Sequence, residues 1–343
     1  MTQEDVNMTA TDLYQELAAS IGLPGSVLVA DMFRGLADEN QAKVLMAASP
    51  PATLEELAQK TGLSVSDVEQ TIEPLFQKGL IFKSKKPEGT RYYRVRQFLQ
   101  FHDSTAVALD VPRKVLDLLK EFMNSQEWAG YFDRLKNVLP RPAMRVIPVN
   151  VAIEPDTQIL VFDDVRTHIE NAERIAVTAC SCRVIDGSCG KPVEVCMQLG
   201  KAADYAIERG TGRELTKEEA LQVLKESEEA GLVHTGSNSR SVGHVICNCC
   251  QDCCMAWSPV VRSGARKFVS PSRFVAAVDT DLCTSCETCV DRCFFDAIQL
   301  SGENDTAVVS AEACMGCGLC LVTCPSGALS LEETRPEEHV PVK

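Results

Sequence analysis

CTSCETCVDRC, residues 283–293, and CMGCGLCLVTCP, residues 314–325, are two versions of one pattern. Each spaces four cysteines as C-x2-C-x2-C-x3-C: Cys283, Cys286, Cys289 and Cys293 in the first copy, Cys314, Cys317, Cys320 and Cys324 in the second. All four are offset by 31 residues, and the same offset matches Val278 with Val309, Ala297 with Ala328 and Leu300 with Leu331. Three thiolates so close in sequence can wrap one face of a cubane cluster, with the intervening amides donating to its sulfurs. The fourth is expected to start a short helix and reach across to a second cluster. Zinc needs four ligands per ion, commonly as separated C-x2-C pairs, and accounts poorly for a doubled run at constant offset.

The second copy ends in Pro325, and the whole run resembles bacterial two-cluster ferredoxins. The resemblance implies a ferredoxin domain over residues 271–335, followed by a tail, 336–343. It implies that Cys283, Cys286, Cys289 and Cys324 hold one [4Fe–4S] cluster, and that Cys314, Cys317, Cys320 and Cys293 hold the other. The copies differ between their cysteines: Gly316 and Gly318 in the second stand where the first has Ser285 and Glu287, and Phe294 replaces the proline. All eight ligands are present, so both clusters are expected. The Glu287 carboxylate disfavours adding an electron to the first, so the two potentials are expected to be unequal.

Upstream lie nine further cysteines: Cys180, Cys182, Cys189, Cys196, Cys247, Cys249, Cys250, Cys253 and Cys254. They exceed any need of packing and are expected to bind metal within a domain spanning 146–270. The C-x-C-R segment at Cys180 and the CNCC segment at Cys247, placed ahead of the doubled run, resemble iron–sulfur proteins of anaerobic bacteria. That resemblance implies one or two further iron–sulfur clusters; zinc stays an alternative, because C-x-C and C-C spacings suit it too. The long-gapped cysteine repeat of heterodisulfide reductases fits less well. Cys249 and Cys250 should point in different directions on an extended chain and so serve different metals. Residues 175–178 and 244–246 read as short strands, expected to converge and bring the two cysteine groups together. Helices are expected over 200–208 and 217–230, the second opened by a Thr216/Glu219 capping box and stopped by Gly231. Arg183 either neutralises the thiolates or makes a surface ion pair. His168 and His244 read as structural or surface residues, and His102, His234 and His339 have no partner pattern.

The first 179 residues hold no cysteine. Thr53 and Glu56 form a capping box ahead of Leu54, Leu57 and Ala58 at helical spacing, and Gly62 stops that helix. Ser64 opens a second, with Val65, Val68, Ile72, Leu75 and Phe76 on one face, Pro74 as a kink signal and Gly79 as its stop. Residues 80–82 and 91–95 read as strands around a loop at 83–90. This order resembles the winged-helix domains of bacterial regulators, within a domain assigned to 1–100 and followed by a helical linker, 101–145. The helix that would read DNA carries Asp67, Glu69 and Glu73, although the hairpin is basic at Lys83, Lys85, Lys86 and Arg91. Nucleic acid is therefore not expected as a partner; docking or homodimerisation through this domain is.

Composition agrees. The net charge is −14, and residues 271–343 hold 4 basic against 12 acidic side chains, which disfavours nucleic acid and anionic membrane. The N-terminus, MTQEDVNMTATDLY, is acidic with no apolar stretch behind it, and no run approaches the roughly 18 apolar residues of a membrane span. A soluble, cytoplasmic protein is expected, its clustered thiols serving metal rather than disulfides. Gly210-Thr-Gly212 is not a dinucleotide fingerprint, and no constellation points to acid–base catalysis. The expectation is an α+β multidomain iron–sulfur protein that relays electrons between a low-potential donor and a partner oxidoreductase, as a subunit rather than a catalyst alone. Two alternatives remain: a redox-sensing winged-helix transcription regulator, and a cluster-based thiol/disulfide enzyme.

Overall fold

The computed structural model describes residues 12–149, 163–258, 260–302 and 305–342. The acidic stretch up to residue 11, read above against a signal peptide, lies outside them. The chain divides into two compact units, Met1–Tyr131 and Phe132–Lys343.

The first unit is built from α1 (Leu13–Ser20), α2 (Val27–Leu36), α3 (Glu39–Ala47), α4 (Leu54–Thr61) and α5 (Val65–Gln77), then β1 (Ile81–Lys86), β2 (Gly89–Arg94), α6 (Phe98–Ala106) and α7 (Arg113–Met123). The unit boundary falls inside α8 (Gln126–Val138). Local chemistry sets the ends of the helices. The Thr53/Glu56 capping box forms at α4, and Gly62 closes it in the left-handed conformation, φ 73°. Ser64 caps α5 by accepting from the Asp67 amide, and α5 continues through Pro74 to Gln77. The hairpin is tighter than the sequence indicates: β1 and β2 pair in full register from Ile81↔Arg94 to Lys86↔Gly89, leaving only Pro87 and Glu88 as the turn. The lysines stay in the strand because their charges are met on it. The Lys83 ammonium lies 3.6 Å from the centre of the Phe76 ring and 3.2 Å from Glu73, and Arg91 reaches Glu56 at 2.6 Å.

Phe98 anchors the core of this unit. Its ring meets Phe122 at 4.6 Å, Trp128 at 5.8 Å and Tyr131 at 5.9 Å, in tilted or edge-on geometry. Phe98→Ala should lower the unfolding free energy by about 3–5 kcal/mol, the usual cost of emptying a large aromatic site. A urea titration followed by circular dichroism reads this directly; an unchanged midpoint would show that the aromatic cluster does not hold the unit together.

The second unit holds a seven-stranded sheet in the order β6-β4-β5-β8-β7-β3-β9. Its strands are β3 (Met144–Val146), β4 (Ile175–Ala179), β5 (Glu194–Leu199), β6 (Gly212–Glu214), β7 (Val233–Ser237), β8 (Val245–Cys249) and β9 (Val269–Ser270). All neighbours are antiparallel except β3 and β9. Helices α9 (Val165–Glu170), α10 (Ser181–Ile185), α11 (Lys201–Glu208) and α12 (Lys217–Glu229) fill the connections, and the Thr216/Glu219 capping box starts α12. The expected strands at 175–178 and 244–246 are β4 and β8, but they do not pair with each other. Strand β5 lies between them, carrying Cys196.

Downstream come β10 (Phe274–Val278), α13 (Thr288–Arg292), β11 (Ile298–Leu300), β12 (Ala307–Val309), α14 (Leu319–Val322) and β13 (Leu329–Glu333). The 31-residue offset carries β11 onto the first half of β13, and β12 onto the equivalent of the end of β10. Pairing is crossed: β10 joins β13, and β11 joins β12. Each two-stranded sheet therefore takes one strand from each copy. A buried ion pair, Arg273 to Asp163 at 2.8 Å, ties the start of this segment to the rest of the unit. Among the described residues, no helix is long and apolar enough to cross a membrane.

Candidate iron–sulfur centres

The crossed sheets bring the doubled run into two hollows. One, of about 350 Å³, is lined by Cys283, Cys286, Cys289 and Cys324. The other, of about 340 Å³, is lined by Cys293, Cys314, Cys317 and Cys320. In each, three cysteines come from one copy and the fourth from the other. The fourth does not start a helix as the spacing seemed to indicate. Cys293 caps the C-terminus of α13, and Cys324 follows the end of α14. The third cysteine of each run, Cys289 or Cys320, lies inside the short helix, so the x3 spacing carries the fourth about one turn further, where the helix ends.

The hollows suit a sulfur-rich anionic group. Backbone amides point at the thiols: Ala276 and Gly316 donate to Cys314 Sγ at 3.5 and 3.4 Å, and Ala297 donates to Cys293 Sγ at 3.2 Å. Burial pushes the Cys317 thiol up to about 12 and raises Cys320 as well, so in the second hollow a bare thiolate is costly and a cation is needed to hold it. The first hollow is open. Cys286 is exposed, and hydrogen bonding from Thr288 and Thr284 holds its thiol below the usual range.

The two copies need the same backbone shape but reach it differently. Gly316 and Gly318 have φ of 64° and 79°; their counterparts Ser285 and Glu287 have 56° and 59°. A Cβ at Gly316 would run into the carbonyl of Phe274 and the hydroxyl of Ser272. Ser272, which the sequence did not single out, is fully buried and donates to the Gly316 carbonyl at 2.7 Å.

The nine upstream cysteines are also brought together. Cys180 and Cys182 sit where β4 turns into α10, Cys196 lies on β5, and Cys247 and Cys249 lie on β8. Six thiols form a chain of neighbours: Cys180 against Cys182, Cys182 against Cys254, Cys254 against Cys249, Cys249 against Cys247, and Cys247 against Cys196. Hydrogen bonding to Cys196 and Cys249, with burial behind it, pushes the Cys247 thiol far up; hydrogen bonding to Cys182 and Cys249 does the same to Cys254. The remaining three, Cys189, Cys250 and Cys253, form a triad of their own, with Cys180 and Cys182 packed against the same cluster. The adjacent pair Cys249 and Cys250 thus divides between the two sets, as does Cys253 and Cys254.

Arg183 is 3% exposed, which rules out the surface ion pair. Its Nη2 donates to the Asn248 carbonyl at 2.9 Å, and its guanidinium lies against Cys250 within reach of Cys180 and Cys249. His244 is exposed, as a surface histidine should be. The histidine that matters to the sheet is His234. It is buried on β7 opposite Asn248, between Cys247 and Cys249, and its ring contacts the Asn248 side chain at 2.5 Å and Glu228 at 3.2 Å. No local motif marks it; only the pairing of β7 with β8 does.

An aromatic contact joins the two cysteine regions. Trp257 bonds through its amide to the Cys254 carbonyl at 2.9 Å, and its ring meets Phe294 at 5.6 Å and Phe295 at 5.2 Å. These phenylalanines follow Cys293, and Phe295 lines the second hollow.

Residues 276–331 match the family model of the 4Fe-4S dicluster domain. The match covers the C-terminal segment that carries the doubled cysteine run. A 59-residue stretch is 34% identical to an archaeal-type glutamate synthase [NADPH] from Dehalococcoides mccartyi, covering 17% of this chain and 12% of that relative. No solved structure matches.

If each hollow holds a four-iron cluster, Gly316→Ala should cost the chain the second, lowering bound iron by about four atoms per chain. Glu287→Gly relieves a left-handed residue and should preserve the iron while stabilising the domain by about 1 kcal/mol. Iron analysis and urea denaturation of the two variants check both; full iron in Gly316→Ala would count against the close packing at that glycine.

Proposed function

We propose that the chain is an electron-transfer protein that carries electrons between a low-potential donor and a partner oxidoreductase in the cytoplasm, as a subunit of a complex. The observation that carries this reading is the sequence of sites in one compact unit: a four-thiol hollow with one exposed thiol, a four-thiol hollow with none, and an aromatic contact leading to a further six-thiol set. Cys283, Cys286, Cys289 and Cys324 hold the first [4Fe–4S] cluster, and Cys314, Cys317, Cys320 and Cys293 the second. The set formed by Cys180, Cys182, Cys196, Cys247, Cys249 and Cys254 holds a further cluster. When bound, the clusters supply one-electron redox chemistry; the chain supplies the thiolates, the amides that donate to sulfur, and the burial that sets each potential. Electrons enter at the exposed Cys286 face, whose acidic surroundings suit a basic patch on the partner. The similarity to a protein named for NADPH fits a reductive setting.

The first unit, with its winged-helix order of elements, serves docking or homodimerisation. Two of the hairpin cations that would meet DNA phosphate, Lys83 and Arg91, are engaged by Glu73 and Glu56. Gel shifts with the promoter DNA of its own gene, in both redox states, should therefore show no selective complex. A selective, redox-dependent shift would favour a transcription regulator instead.

Two measurements test the electron-transfer reading. Anaerobically purified protein should carry about eight iron atoms in its C-terminal clusters, and Cys286→Ala and Cys317→Ala should each remove part of that iron. Glu287→Gln removes a negative charge beside the first cluster, so it should raise that cluster's potential by on the order of tens of millivolts and leave the second unchanged. A redox titration followed by electron paramagnetic resonance reads both; iron-free protein would sink the proposal.

A further inference from the structure

Cys189, Cys250 and Cys253 present three sulfurs that all lie within 4.8 Å of one another. Among the described residues, no other three cysteine, histidine or carboxylate ligands come together in this way, and that includes the eight thiols of the two hollows. The difference is chemical. Thiolates that cap separate corners of a cubane are held apart by the cluster between them. Thiolates that share one tetrahedral ion, with Zn–S bonds of about 2.3 Å, stand about 3.8 Å apart. The triad's sulfurs, all within 4.8 Å of one another, lie close enough to share one ion.

Its local structure points the same way. Cys250 and Cys253 are joined by two residues, and the Cys253 amide donates back to the Cys250 sulfur, closing a tight knuckle. Both thiols are buried, at 1% and 2% exposure, in a cluster with Val195 and Leu232, against which Cys180, Cys182 and Cys189 pack. Cys189 arrives from the loop between α10 and β5 and is half-buried. Three thiolates around a divalent ion leave one negative charge. The buried Arg183 guanidinium lies against Cys250 and balances it.

We propose that Cys189, Cys250 and Cys253 form a separate mononuclear zinc site, distinct from every iron–sulfur centre of the chain, with a fourth, non-thiol ligand completing the tetrahedron. The Ser188 hydroxyl lies 3.7 Å from Cys253 Sγ and is a candidate for that ligand. The site clips the loop carrying Cys189 to the end of β8. It does so beside the six-thiol set without joining it, because the zinc ion cannot take up an electron.

The test uses the full chain, purified anaerobically with its iron. Metal analysis should give about one zinc per chain, and absorption at the zinc edge should show about three sulfurs at about 2.3 Å with one oxygen or nitrogen ligand. Cys189→Ala should lower bound zinc at least tenfold while iron content and the paramagnetic signals stay as they were. Protein without zinc, zinc with fewer than two sulfur ligands, or a Cys189→Ala variant that loses iron in place of zinc would each overturn the assignment. The zinc-edge measurement is made on the unsubstituted protein, so it decides even if the variant does not fold.

Discussion

Seventeen thiols packed into less than half the chain impose one constraint on everything around them. As thiolates they repel one another, and as buried thiols they lose water without finding strong hydrogen-bond partners. Burial at Cys317 and Cys320 and thiol–thiol bonding at Cys247 and Cys254 all push toward the protonated form. Metal replaces those protons, so folding of this unit and metal loading are coupled, and acid works against both. The protein meets the remaining charge with backbone amides around the doubled run and with one buried guanidinium, Arg183 of α10, beside the sheet.

The crossing of the two copies follows from the same constraint. A short run can turn three thiols toward a common centre, but the helix that presents the third carries the fourth away from it. The interlocked pairs β10–β13 and β11–β12 return each stray cysteine to the opposite centre. Neither copy can complete a site by itself, which makes the repeat a single folding element rather than two.

The parts of this arrangement that are local in sequence were legible there. The doubled cysteine spacing, the capping boxes at Thr53 and Thr216, and the glycine stops at Gly62 and Gly231 all depend on residues a few positions apart. Most of the central sheet was not. Strands β6 and β3 are three residues each and β9 two, too short for a periodic signal, whereas β5 alternates over six residues with Val195, Met197 and Leu199 buried. Strand β7 buries His234 and Thr235 where a strand pattern would call for apolar side chains. The hairpin lysines look like a loop until Glu73 and the Phe76 ring are seen to face Lys83. The split between Cys249 and Cys250 follows from the alternation of an extended chain, but the full division into six and three was out of reach, because it depends on the distant neighbours Cys196 and Cys182 of Cys247 and Cys254.

The open first hollow has a cost as well as a use. A thiolate corner that a redox partner can approach is one that dioxygen and peroxide can approach too, and exposed, hydrogen-bonded thiolates are the first to climb the oxidation ladder. Cys286 is the exposed member of its set, whereas Cys314 and Cys320 in the neighbouring hollow are buried. On the proposed reading, oxidative damage begins where electrons enter and reaches the interior last, so that air would sever exchange with a redox partner before the fold comes apart.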